Sequence, residues 1–326
     1  MRQSRSSYKK WLITALKLLI ALAVLWWVRQ TISAGWAELT ARDRGQWDWQ
    51  PGWLAVAGLI YLVGLLPFGL FWHRLLRVLG QDARLGETLR AYYIGHLGKY
   101  VPGKAMVVVI RAGLIRSRRV STGVAAVSVF VETLTMMAVG SFAAAAYLAL
   151  CFRQQALWSC AAAALMLVSL VPTLPPVFRR LVRLARVGKT DPETAEKLEK
   201  LGAKTLLVGW LMSALGWVIL ALSYWATLRA MGLEGLDPLA HLPRYVAAVA
   251  LAVVAGFLLL VLPAGVGVRE AFLAKLMLPY LSALGVPDAN STAWAGAFLL
   301  RMVWTVSELI ISGIMYVSGS RAPDSQ

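Results

Sequence analysis

The residues that could do chemistry in this 326-residue chain are few, and most of them interrupt apolar sequence. Lys99, Lys104 and Arg111 surround the run Gly98-Lys-Tyr-Val-Pro-Gly-Lys104, with His96 just ahead of it, and Glu132 stands alone in the next apolar stretch. Late in the chain, Arg269 and Glu270 close the run Pro263-Ala-Gly-Val-Gly-Val-Arg-Glu270, and Arg301 and Glu308 lie inside the last apolar segment. A charge in such sequence costs roughly 2.5 to 3.5 kcal/mol on insertion scales, so each needs a partner or a task. The two runs are parallel: both place proline and glycine shortly before an arginine. Gly98, Pro102 and Gly103 in the first, and Pro263, Gly265 and Gly267 in the second, break a helix and leave backbone groups unpaired. Guanidinium binds phosphate bidentately, and amide donors at a helix N-terminus add a favourable dipole. The pattern suits an anionic headgroup. The competing structural reading pairs Arg111 and Arg269 with Glu132, Glu270 or Glu308 to hold a bundle together, or lets them snorkel to an interface.

Arg301 and Glu308 are seven residues apart, two helical turns, and therefore share a face that looks into the protein. Glu132 and His96 are candidates for gating or proton coupling. His73 and His241 fall at the ends of apolar segments and read as interfacial. Cys151 and Cys160 cannot make a disulfide framework, and no Cys or His spacing resembles a metal site, so neither metal nor cofactor is expected.

The elements that must position these residues are set by composition. The chain is 59% hydrophobic and 15% charged, with a mean hydropathy of +0.65, far more apolar than a soluble fold needs. Trp53 to Trp72, Ala156 to Phe178 and Thr205 to Leu228 carry no charge, and Val120 to Leu150 carries only Glu132. These reach the length of about 20 residues that a spanning helix requires. Trp11 to Val28, preceded by Arg2, Arg5, Lys9 and Lys10, is long for a signal core and has Trp26 and Trp27 where an aromatic belt belongs, so it reads as a retained first helix. Ser291 to Gly319 is the last. Small-residue runs such as Ala143 to Ala146 and Ala161 to Ala164 suit close helix packing.

A net charge of +17 would suggest nucleic acid in a soluble protein. Here its distribution is a topology signal, and no nucleic-acid partner is expected. Basic residues gather in the N-terminal tail, in 73 to 90, in 111 to 119 and in 179 to 204, all assigned to the cytoplasm. Segments 73 to 90 and 111 to 119 then share a face, so the sequence between them must enter the membrane and return. Residues 245 to 284 do the same from the other face, as a second broken hairpin or a helix pair. The expected fold is an all-α polytopic membrane protein with about six full spans plus two broken or re-entrant hairpins, in a single transmembrane domain over 1–326. Residues 1–150 and 156–319 repeat one order with inverted orientation, as in many transporters. The N- and C-termini are both expected in the cytoplasm, with 179–204 as a cytoplasmic loop, in a bacterial-type inner membrane.

These residues resemble the flippase-like family typified by the transmembrane region of lysylphosphatidylglycerol synthase. The resemblance is carried by Gly95-His-Leu-Gly-Lys-Tyr-Val-Pro-Gly-Lys104 with Arg111 downstream, by Glu132, by Leu262-Pro-Ala-Gly-Val-Gly-Val-Arg-Glu270 and by Arg301. In one place the chain departs: it has Val131-Glu-Thr133 where family members often carry Glu-Arg, which leaves a charge pair there unsupported. The resemblance implies a lipid translocase, with a membrane lipid as substrate and lipid-synthesising enzymes as possible partners. Two-domain members add a soluble aminoacyl-transfer domain, for which the sequence beyond the last helix has no room, so lysyl transfer is not expected. No ATP-binding loop is present. The runner-up is a membrane transferase acting on a lipid-phosphate, but Asp191, Glu193, Glu196 and Glu199 alternate with lysines and look like a solvated face. A non-transporting scaffold is a third reading, which the two polar runs disfavour.

Overall fold

The computed structural model describes residues 47–101, 105–117, 119–151, 153, 154, 156–171, 202–258 and 267–320, with positions 26, 29, 30, 33 and 177. The first expected helix apart from Trp26, the turn residues Pro102, Gly103, Lys104, Pro263 and Gly265, and the 179–204 loop up to residue 201 lie outside the described residues. What is described is helical: α1 (Gly52–Val78), α2 (Leu85–His96) running into a 3-10 turn (Leu97–Tyr100), α3 (Ala105–Ile115), α4 (Thr122–Cys151), α5 (Ala156–Leu170), α6 (Ala203–Ala230), α7 (Leu242–Leu258), α8 (Val268–Ala283) and α9 (Ala289–Ser320).

Four helices, Gly52–Val78, Thr122–Cys151, Ala203–Ala230 and Ala289–Ser318, are long and apolar enough to cross a membrane. All four were expected, two as charge-free stretches, one with Glu132 alone and one as the last helix, Ser291 to Gly319. Of the stretch Ala156 to Phe178, α5 covers the first 15 residues, and residues 172–176 and 178 lie outside the described residues. Ala163 and Ala164 are exposed on it, although α5 packs on α4, whereas Ala144 and Ala145 of α4 are fully buried.

The hairpin legs are shorter. α2 and α3 have 12 and 11 residues, roughly 16 to 18 Å each, so neither crosses a bilayer alone. They pack against each other and return to the end they left. The Asp82 amide donates to the Arg119 carbonyl, and the Ser121 amide donates to Gln81 Oε1 at 2.7 Å. Arg77, Arg84, Arg116 and Arg119 therefore sit at one end of the bundle. α7 and α8, 17 and 16 residues, form the second pair, opening toward the other end. There Arg244 and His241 of one leg meet Tyr280 of the other, and the Gln50 amide joins the Ala230 carbonyl.

At the centre α1 and α6 run side by side along their length. Glycines make that possible: a Cβ on Gly64 would lie 2.9 Å from Leu220, and those on Gly209 and Gly216 would run into the rings of Phe71 and Phe68. Around this pair, α4 packs on α7 and α9 packs on α2. In each case a long helix lies against the first leg of a hairpin from the other part of the chain. Each hairpin's second leg lies against the long helix that follows it, α3 on α4 and α8 on α9.

Candidate functional site

α9 carries Arg301, Trp304, Thr305 and Glu308 on one buried face, at the i, i+3, i+4, i+7 spacing of a single helical stripe. The 3-10 turn of the first hairpin and the first turn of α8 in the second both meet this stripe.

The second hairpin reaches it through Glu270. Gly267 precedes α8 at φ +82° with open space around it, a conformation that L side chains rarely adopt. The Gly267 amide donates to Glu270 Oε2 at 2.7 Å, closing the first turn of the helix. The other oxygen, Oε1, accepts from Arg301 Nη1 at 2.5 Å. Glu270 thus caps its own helix and ties it to α9. Arg269, one residue earlier and half-buried, lies 4.9 Å over the ring of Trp304, which stacks on Tyr61 of α1 with ring centres 4.4 Å apart.

The first hairpin reaches the same stripe through its 3-10 turn. Gly98 has a close-contact role: a Cβ there would lie 2.6 Å from the Val107 backbone nitrogen, so only glycine lets the two legs touch beneath the tip. Lys99 Nζ and the Tyr61 hydroxyl both donate to Glu308 Oε1. The Tyr100 hydroxyl donates to Oε2 at 3.0 Å and lies 2.9 Å from the Thr305 hydroxyl.

Arg111, deeper in the first hairpin, is buried and donates from Nη1 to Glu132 Oε2 at 2.9 Å. Its guanidinium lies 3.9 Å from the Tyr92 ring centre, and its Nε has no hydrogen-bond partner. Glu132, lacking a neighbouring arginine in its own helix, takes its partner from α3. His96 links the two groups: its Nδ1 is 3.3 Å from Arg111 Nη2 and its Nε2 is 3.8 Å from Glu308. Arginine can only donate, so Nδ1 accepts and the ring proton sits on Nε2, facing Glu308.

The expected residues thus come together except for those in the undescribed turns. Arg301 and Glu308 share the interior face, and the ion pairs made there run to other elements: Arg301 to Glu270, Glu308 to Lys99. Among the described residues of the site, four basic side chains (Lys99, Arg111, Arg269, Arg301) face three carboxylates (Glu132, Glu270, Glu308). Arg269 is the one that makes no ion pair. Beside it lies a narrow pocket lined by Arg269, Glu270, Arg301 and aliphatic residues of α7, α8 and α9, with room for about one water molecule. Tyr61, Tyr100, Trp304 and Thr305 were missed from sequence. The available signal was that Tyr61 is the one hydroxyl in the charge-free stretch Trp53 to Trp72.

Residues 14–309, which include every one of these side chains, match the family described as the lysylphosphatidylglycerol synthase TM region. The chain belongs to this family. It is a multi-pass, membrane-embedded protein, as its long apolar helices require. No curated protein matches the chain.

Proposed function

We propose that this protein moves a polar, anionic lipid across the cytoplasmic membrane without hydrolysing ATP, the headgroup passing the point where both hairpin tips meet α9. The observation that carries this reading is Arg269: a guanidinium on Trp304, at the N-terminus of α8, with no carboxylate to neutralise it. Among the described residues it leaves the site one positive charge in excess. A headgroup phosphate compensates that charge, and the α8 amides and the planar fork of the guanidinium replace the water it sheds. The pocket's aliphatic walls suit the acyl part of the same molecule.

The pocket is too small for a headgroup as it stands, so passage requires the tips to part. Two inverted halves, 1–150 and 156–319, rocking about the α1 and α6 pair are the natural device. In support, the helix contacts exchange among themselves when the halves are swapped: α4 on α7 for α9 on α2, α3 on α4 for α8 on α9. The basic end of the bundle faces the cytoplasm in this reading, with both chain termini, and a lipid-synthesising enzyme supplies the cargo.

The test is reconstitution in phosphatidylcholine vesicles with trace labelled phosphatidylglycerol, aminoacylated lipid or polyprenyl phosphate. The protein should speed the appearance of at least one anionic lipid in the opposite leaflet. If none of these lipids moves and none is retained on purification, transport is ruled out and a membrane-bound transferase becomes the better reading. For orientation, cysteines at Arg84 and Arg116 should both escape an impermeant thiol reagent in intact cells while one at Asp288 reacts. Cys151 and Cys160, both exposed, must first be replaced.

A further inference from the structure

Glu308 draws its hydrogen-bond donors from elements other than its own helix. Tyr61 from α1 and Lys99 and Tyr100 from the 3-10 turn all donate to it, and the Nε2–H of His96 from α2 faces it at 3.8 Å. The carboxylate itself is buried, whereas the Lys99 side chain is 21% exposed, so a second anion can reach Lys99 without first passing Glu308. Lys99 and Tyr100 ride on a single 3-10 turn at a hairpin tip, a conformation of poorer hydrogen-bond geometry that rearranges readily. The charges that bear on this cradle continue beyond it: Arg269 of α8 acts electrostatically on Tyr61, His96 and Lys99, and Arg301 of α9 on Lys99 and Tyr100. Two carboxylate oxygens bridged by such donors have the form of the two non-bridging oxygens of a phosphodiester.

We propose that Glu308 occupies, in the resting protein, the cradle that receives the phosphate of a lipid headgroup, and that the headgroup enters by taking Lys99, Tyr61 and Tyr100 over from it. This rests on the lipid-transport reading and adds a second phosphate station to the one at Arg269. The displaced carboxylate keeps His96 Nε2–H and Arg301 as neighbours, so it is not left without a favourable charge or donor. Glu308 then acts as an internal competitor that shuts the cradle when no lipid is present.

The experiment is native mass spectrometry of the full chain released from nanodiscs of equimolar phosphatidylglycerol and phosphatidylcholine. Glu308→Gln removes the competing charge and should raise the ratio of retained phosphatidylglycerol to phosphatidylcholine about tenfold, the factor expected when one charge-assisted hydrogen bond is no longer contested. Lys99→Gln should lower that ratio by a similar factor, and it serves by itself if Glu308→Gln fails to fold. A carboxylate that merely latches the hairpin to α9 would give lower retention of both lipids with the ratio unchanged, and that result overturns the proposal. Ratios that respond as stated in a protein that moves no lipid would defeat transport but leave the cradle standing. Lipid movement with ratios unchanged in both variants would do the reverse.

Discussion

The two hairpins solve one mechanical problem with opposite charges. In the first, the returning leg carries the arginine and the closing helix the carboxylate, Arg111 to Glu132. In the second, the leg carries the carboxylate and the closing helix the arginine, Glu270 to Arg301. The staple sits at the same architectural place, so its polarity is free while its presence is not. The difference decides which tip is left charged. With Glu270 committed to Arg301, its neighbour Arg269 keeps its charge. In the first hairpin Arg111 is neutralised in place, and the tip cation Lys99 is engaged by Glu308 of α9.

The comparison breaks most visibly if the staples are removed. Arg111→Leu or Glu270→Leu strands a buried partner and should each cost about 3 to 5 kcal/mol, read as a large drop in Tm of the purified protein. Replacing both members of a pair by leucine should recover most of that stability, because no unpaired charge remains. Recovery in Arg111→Leu with Glu132→Leu, but not in Glu270→Leu with Arg301→Leu, would show that the second pair does more than staple. Failure of both to recover would end the idea of equivalent staples.

The tip glycines sharpen the contrast at smaller cost. Gly98→Ala drives a methyl group into the backbone of Val107, and Gly267→Ala forces an L residue to φ +82° in open space. Each should cost about 1 to 3 kcal/mol. Only the first should worsen with side-chain size, so Gly98→Val should melt well below Gly98→Ala while Gly267→Ser and Gly267→Ala melt together. The smallest stability effect belongs to Arg269→Gln, which loses a cation–π contact and no ion pair: about 0.5 to 1 kcal/mol.

The long helices were legible because apolar length is a local property, and the hairpins because proline, glycine and the bias of basic residues mark a chain that turns back. The partners at the site were not legible. Lys99 and Glu308 are 209 positions apart, and Arg301 reaches back 31 residues to Glu270 rather than to the glutamate on its own face. Periodicity places a charge on a face, but the element packed there selects its partner. Tyr61 stayed hidden because tyrosine in an apolar span reads as bulk until a carboxylate is found beside its hydroxyl.

The central claim is that the uncompensated guanidinium of Arg269 meets a phosphate, and its most direct test is the rate at which labelled phosphatidylglycerol changes leaflets in vesicles containing wild type, Arg269→Lys or Arg269→Gln. Lysine keeps the charge and loses the planar fork, so the lysine variant should move the lipid about tenfold more slowly than wild type, and glutamine more slowly still, with Tm nearly unchanged in both. Wild-type rates in both variants, at equal reconstituted protein, would contradict it.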